Sequence, residues 1–385
     1  MTYLTRFIEP ILLKYLRLFP VVSVTGPRQS GKSTLLRHLL ADYRYITFDD
    51  PTHLAHFEND PKDFMKVYDD RVIFDEAQKC PELFNYIKMA VDNDRQNYGK
   101  YVLSGSSQFT LLKNITETLA GRIGLLSLLP FQYAEIPTEL RDGSLLNGCY
   151  PQVVTQQYEG ASEWYGSYVA TYIERDVRNI TNIGDLRSFQ RLIELLAANV
   201  AQPINMSTYA NDLGISVPTV KSWLSVLEAS YIIFLLPPYY KNFGKRLTKA
   251  PKLYFYDTGL VNYLVGIRDK EHLKKGPMAG ALFENYLISD VYKTQLNFNT
   301  NHSLFYLCVN NREEVDLLID KKNSLDLIEI KNNATFKPEM IKHIKTFLSA
   351  EDQGLLLYPG SNYQYSEQIQ AINFEEYLLQ ATISQ

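Results

Sequence analysis

Gly26-Pro27-Arg28-Gln29-Ser30-Gly31-Lys32-Ser33 lies between an apolar run, Val21-Val22-Ser23-Val24, and a leucine-rich stretch at helical spacing, Thr34-Leu35-Leu36-Arg37-His38-Leu39-Leu40. Strand, glycine-bearing loop and helix in this order form a phosphate-binding loop. Small side chains let successive backbone N–H groups curl around phosphate oxygens, and the following helix turns its positive dipole end toward them. The spacing therefore predicts a nucleotide cradle from Gly26, Pro27, Arg28, Gln29, Ser30, Gly31, Lys32, Ser33 and Thr34. Lys32 is expected to reach the β- and γ-phosphates and Ser33 to ligate magnesium.

A loop of this kind hydrolyses nucleotide only with help from elsewhere in the chain. Arg71-Val72-Ile73-Phe74-Asp75-Glu76-Ala77-Gln78 is a buried-strand pattern ending in two carboxylates. Such a pair alone usually marks a solvated turn; downstream of a phosphate loop it predicts a magnesium-side Asp75 and a water-polarising Glu76. A third strand, Lys100 to Leu103, runs into Ser104-Gly105-Ser106-Ser107, which places hydroxyls where a sensor of the γ-phosphate would sit. Ala120-Gly121-Arg122 follows a helical stretch, and Arg122 reads as an arginine finger or a phosphate sensor, or else as a member of a surface salt bridge. ATP and Mg2+ are the cofactors this set implies.

A chain of 385 residues has room for two or three domains. With 45% hydrophobic and 21% charged residues the composition is that of a globular protein, and a formal net charge of −4 excludes a surface that clamps nucleic acid all round. Cys80, Cys149 and Cys308 are odd in number and far apart, so a reducing cytoplasmic setting is expected rather than a disulfide framework or a zinc site. Charges interrupt the apolar N-terminus, which reads as an amphipathic helix beside the first strand and not as a signal peptide. The apolar stretch from Tyr231 to Tyr240 holds two prolines and is too short to span a bilayer.

Strand and helix patterns alternate from about residue 20 to 135, predicting a parallel sheet covered by helices. We expect an α/β chain with a P-loop core over residues 1–140, a helical lid or connector over 141–200, a winged helix over 201–270 and a C-terminal domain over 276–385. In the lid, Arg175 and Arg178 face either a nucleotide across a subunit boundary or an intrahelical charge network. Met206 to Leu224 has helix-turn-helix grammar, with Gly214 at the turn and Ser216 as a cap. The following wing carries Lys241, Lys245, Arg246, Lys249 and Lys252 among aromatics. Together with Lys221 these are the expected DNA contacts, since basic groups supply phosphate affinity and aromatics stack or wedge; the alternative is a protein contact.

A second constellation lies near the C-terminus. Helix Ala279–Ile288 carries Glu284, and two successive strands carry Asp316 and Glu329-Ile330-Lys331. Strand alternation sets Glu329 and Lys331 on one face. In a nuclease Glu284, Asp316 and Glu329 would hold a second metal and Lys331 would steady a hydroxide; otherwise the fold keeps these polar residues without cutting.

With these strings placed, the chain resembles a family of bacterial and archaeal AAA-type P-loop ATPases that join the core to a winged helix and a restriction-endonuclease-like domain of the PD-(D/E)xK type. The supporting strings are Gly26 to Ser33, Phe74 to Gln78, Leu103 to Ser107, Leu119 to Arg122, Tyr172 to Val177, Tyr256 to Gly259, Glu314 to Asp316 and Glu329 to Lys331. The resemblance implies Lys32, Ser33, Asp75 and Glu76 as site residues, Arg122 as a finger, and a homo-oligomer of the ring kind, up to a hexamer. The resemblance implies Ser106 at the sensor position, where serine departs from the commoner Asn or Thr. Three readings stay open: a DNA-remodelling ATPase, an ATP-gated nuclease, and a signalling or protein-remodelling ATPase.

Overall fold

The computed structural model describes residues 3–105, 118–172, 185–239, 250–300, 302–309 and 313–380. The chain divides into two compact units, one built mainly from residues 1–131 with returns at 229–231 and 296–298, the other from the rest.

The first unit is a five-stranded parallel sheet. β1 (Val21–Thr25), β2 (Arg44–Thr47), β3 (Val72–Asp75), β4 (Tyr101–Gly105) and β5 (Ile123–Ser127) lie in the order β2-β3-β4-β1-β5. Both faces are covered, as parallel sheets require, and the strands sort their side chains accordingly. Val21, Val72, Phe74, Tyr101 and Leu103 pack with Phe57, Phe64, Phe84 and Ile87 on one side. Val22, Val24, Ile73 and Val102 pack on the other with Ile8, Leu12, Leu35 and Leu36. Ile8 and Leu12 belong to the segment of α1 (Glu9–Leu16), whose apolar residues recur every four positions and lie against β1. The expected amphipathic N-terminal helix is thus present.

Parallel strands end together at one edge. There β1 turns into the glycine-bearing loop and α2 (Lys32–Leu39), and β3 ends in Asp75. β4 separates the two strands.

The second unit opens with helices. α3 (Leu186–Ala198) buries Phe189, Leu192, Ile193, Leu196 and Ala197 at helical spacing and is capped by Asp185, which accepts from Ser188 N at 3.0 Å. α4 (Met206–Leu213) ends at Gly214, whose φ of 67° is the left-handed conformation that closes a helix cheaply only with glycine. Ser216 Oγ then accepts from Thr219 N at 3.2 Å at the start of α5 (Val217–Ala229). Gly214 thus ends one helix and Ser216 starts the next. β6 (Ile233–Leu236) and β7 (Lys252–Phe255) follow as an antiparallel pair.

The string Tyr256 to Gly259 has a structural task. Asp257 is 2% exposed and caps α6 (Thr258–Leu264) by accepting from Leu260 N at 3.0 Å. The same carboxylate accepts from Tyr165 OH at 2.5 Å and Cys149 N at 2.7 Å, tying the connector and the helix Ala161–Tyr168 to α6. A Cβ at Gly148, where φ is 81°, would stand 1.9 Å from Tyr165 OH, so no larger residue fits.

α7 (Ala279–Asn297) leads to a six-stranded mixed sheet of β8 (Ser303–Val309), β9 (Glu313–Asp320), β10 (Leu325–Ile330), β11 (Gln353–Tyr358), β12 (Tyr363–Gln364) and β13 (Ile369–Asn373). Their order is β12-β13-β11-β10-β9-β8; β8, β9 and β10 run antiparallel, while β10, β11 and β13 run parallel. Within α7, Asp290 is fully buried and accepts from Tyr133 N at 2.7 Å. Burial pushes its carboxyl up to about 7. Among the described residues no helix is long and apolar enough to cross a membrane.

Asp257→Ala leaves three buried donors unmet, and a loss of about 2–4 kcal/mol in chemical denaturation is expected, with Asp257→Asn losing less. Asp290 has its folded proton affinity raised, so the unfolded chain releases that proton first as pH rises. Its destabilising contribution is absent below about pH 4, grows toward pH 7 and is full above it. Asp290→Asn should therefore raise the denaturation midpoint at pH 8 and change it little at pH 4.

Candidate functional site

The loop after β1 is shaped by backbone before any side chain acts. Gly26 has φ 145° and Gly31, the residue before α2, has φ 93°. A Cβ at Gly26 would lie 2.1 Å from the carbonyl oxygen of Leu128, which closes the space behind the loop. Arg6, almost fully buried, braces the loop from beneath: its guanidinium donates to Ser30 O at 3.0 Å and Leu129 O at 2.8 Å and lies over the Phe131 ring. The sequence reading missed this role; the signal was a charged residue set at the start of an apolar helical segment.

Lys32 is 6% exposed, and its ammonium donates to the carbonyls of Gly26 at 2.9 Å and Pro27 at 2.8 Å. Burial pulls its pKa down to about 8, against the opposing pull of Glu76 and Asp75. Next to it, Ser33 Oγ donates to Asp75 Oδ2 at 3.0 Å. Two further hydroxyls converge on the same carboxylate: Tyr45 of β2 on Oδ2 and Ser104 of β4 on Oδ1. Asp75 thus binds α2, β2 and β4 to the end of β3. Arg37 stacks over the Tyr45 ring, 3.9 Å from its centroid.

Glu76 has φ 53°, a left-handed conformation that is strained for a residue with a Cβ. Its carboxylate accepts a hydrogen bond from Gln78 Nε2. Burial raises its pKa. Gln78 is a second residue that spacing did not single out.

A serine hydroxyl and a carboxylate set side by side are hard oxygen donors of the kind magnesium takes while keeping several waters. Ser33 and Asp75 therefore fit that ion. The structure brings together Lys32, Ser33, Asp75 and Glu76, four of the residues expected at this site. It does not bring Arg122 to them: Arg122 pairs with Asp92, Nε at 2.9 Å and Nη2 at 2.8 Å from Oδ1. The salt-bridge alternative describes its position. Ser106, Arg175, Arg178, Lys241, Lys245, Arg246 and Lys249 lie outside the described residues.

Lys252 corrects an expectation. It was grouped with the solvent-facing wing, yet its side chain is 3% exposed and ion-paired to Glu284 at 3.0 Å and to Glu314. An ammonium so enclosed has no face for a DNA phosphate. Lys221 is exposed on α5.

Three of the C-terminal quartet, Asp316, Glu329 and Lys331, meet directly, and the fourth, Glu284, is held by Lys252 and Tyr254. Lys331 Nζ donates to Glu329 Oε2 at 2.6 Å and Asp316 Oδ2 at 3.2 Å, and Ile330 N donates to Asp316 Oδ2 at 2.8 Å. Glu284 Oε1 accepts from Lys252 at 3.0 Å and from Tyr254 OH at 2.6 Å. His343 Nδ1 lies 3.7 Å from Glu329 Oε1. Burial and the neighbouring Asp316 push the Glu329 carboxyl up. Asp316 is held low by Lys331, Lys252 and the Ile330 N–H despite the larger opposing effect of burial.

Residues 18–137 match the family described as an AAA domain. This stretch has an AAA-type P-loop ATPase fold with a parallel α/β sheet. Residues 138–271 and 279–377 match two domains of unknown function, DUF8612 and DUF4143. The whole chain is similar to uncharacterized proteins of Mycobacterium bovis and Mycobacterium tuberculosis, each 27% identical over 375 residues, covering 95% of this chain and 82% of the relative. A Walker-type ATPase of Pyrococcus abyssi is similar at 17% identity and a TM-score of 0.47, covering 67% of this chain and 94% of that one.

Gly26→Ala places a methyl group where the Leu128 carbonyl lies. The expected result is loss of at least about tenfold in nucleotide affinity by calorimetry, with the protein still folded by circular dichroism.

Proposed function

We propose that the chain is a magnesium-dependent ATPase that binds DNA through its helix-turn-helix and the basic segment after β6. The observation that carries the ATPase reading is the meeting of Lys32, Ser33, Asp75 and Glu76 at one sheet edge. Lys32 is held by neutral carbonyls, so phosphate oxygens, which are better acceptors for an ammonium, would displace Gly26 O and Pro27 O from it. Ser33 and Asp75 would hold the magnesium, which supplies charge neutralisation at the phosphates. Glu76 would accept a hydrogen bond from the attacking water, and Gln78 fixes the direction of its carboxylate.

For DNA the support is the surface of α5. Its exposed positions Val217, Pro218, Lys221, Ser222 and Ser225 include one cation and no carboxylate, so the helix approaches a phosphate backbone without repulsion. The basic residues Lys241, Lys245, Arg246 and Lys249 follow between β6 and β7 in sequence. Assembly as a homo-oligomer would allow an arginine to act on a neighbouring subunit's nucleotide.

ATP hydrolysis by the purified protein, measured with duplex, single-stranded and four-way-junction DNA at two salt concentrations, tests both parts. The rate should rise with one DNA form and the rise should shrink with salt. Lys32→Ala should abolish nucleotide binding, while Glu76→Gln should bind ATP and stall; a normal rate in Glu76→Gln sinks the assignment of the water-polarising base. Combined alanine changes at Lys221, Lys245, Arg246 and Lys249 should remove DNA binding, and absence of any DNA binding by the unaltered protein transfers the second unit to a protein partner.

A further inference from the structure

A divalent cation needs carboxylate oxygens that converge and are not already engaged by other cations. In the C-terminal constellation the engaged oxygens are Asp316 Oδ2, taken by Lys331 and Ile330 N, Glu329 Oε2, taken by Lys331, and Glu284 Oε1, taken by Lys252 and Tyr254 OH. Glu314 is taken by Lys252. Among the described residues no group of three or more His, Cys, Asp or Glu side chains has an arrangement that would hold a metal ion. The residues therefore do not fit the second metal that the sequence pattern suggested. The centre already contains its cations, and they are two ammonium groups.

Lys252 distinguishes this arrangement from a strand-borne carboxylate pair with one lysine. It comes from β7, whereas Glu284 is on α7 and Glu314 on β9, so one buried ammonium joins three elements. Further contacts run along the same seam. Phe255 N donates to Asn285 Oδ1 at 2.8 Å. Tyr239 N donates to Tyr306 O at 2.7 Å, Tyr306 N to Pro237 O at 3.1 Å, and Tyr306 OH to Ala250 O at 2.7 Å. Tyr239 and Ala250 are the described residues that bracket the basic segment 240–249 in sequence. The described residues on either side, Tyr239 and Ala250, are thus fastened to β8, and Lys252 to the carboxylates.

We propose that the C-terminal carboxylates form a metal-independent ion-pair joint, with Lys252 and Lys331 as its resident cations, that anchors the stem of the basic segment and does not cut DNA. Removing one partner of a buried pair strands the other charge, so the joint should depend on Lys252 and be indifferent to chelators. The proposal holds whether or not the first unit hydrolyses ATP.

The test uses the full chain. Supercoiled plasmid is incubated with the unaltered protein and with Asp316→Asn/Glu329→Gln, in Mg2+ or Mn2+ without nucleotide. The two should leave the plasmid equally intact; cutting by the unaltered protein that the double change removes overturns the proposal. Mn2+ binding is then followed by electron paramagnetic resonance in Lys32→Ala, with and without the double change. Equal binding is expected, and a tight site lost with Asp316 and Glu329 overturns it. Finally, trypsin cleavage within 240–249 should accelerate in Lys252→Met and be unmoved by EDTA in the unaltered protein; unchanged cleavage in Lys252→Met overturns the anchoring role. The plasmid and EDTA measurements on the unaltered protein stand even where a variant fails to fold.

Discussion

A carboxylate taken out of water must be met by donors or it gives up its charge. Asp75 is 6% exposed and is met by three hydroxyls, each from a different element: Ser33 from α2, Tyr45 from β2 and Ser104 from β4. The first unit depends on that arrangement. The strand order puts β4 between β1 and β3, so the loop and the carboxylate are not sheet neighbours. Hydroxyls reaching Asp75 from both sides define their separation. The hydrophobic layers hold the sheet; this polar knot sets the register of its chemical edge.

Much of the first unit was legible because its signals are local. The phosphate loop is contiguous, and the apolar run that ends in Asp75-Glu76 marks a buried strand reaching an edge. Parallel pairing follows from strands alternating with helices, and it delivers all strand ends to the same place. The residues that escaped are those whose meaning lies in a distant partner. Tyr45 is 30 positions from Asp75, and Arg122 is 30 positions from Asp92. Gln78 is close in sequence to Glu76, but only the left-handed turn at Glu76 brings their side chains together.

Lys252 was misread for the same reason in a sharper form. It ends a run of basic residues, and such a run normally describes a solvated face. Strand alternation instead turned this one side chain inward, toward Glu284, 32 residues on, and Glu314. The second constellation was correctly legible as a set of residues, since Asp316, Glu329 and Lys331 do meet. Its content was not legible, because the cation that completes it comes from another element.

The two buried lysines show how surroundings decide what one residue type does. Lys32 is held by uncharged carbonyls, and burial lowers its proton affinity. Glu76 and Asp75 pull the other way but do not outweigh burial, so an anion arriving at the loop adds attraction that the carbonyls only partly supply. Lys252 is buried as deeply, but Glu284, Asp316 and Glu314 outweigh the desolvation and raise its proton affinity. An arriving anion there would have to compete with carboxylates already in contact and would meet their repulsion as well. The first environment makes a lysine responsive to a ligand, whereas the second makes it a fastening, and the difference follows from whether carbonyls or carboxylates line the cavity rather than from burial itself.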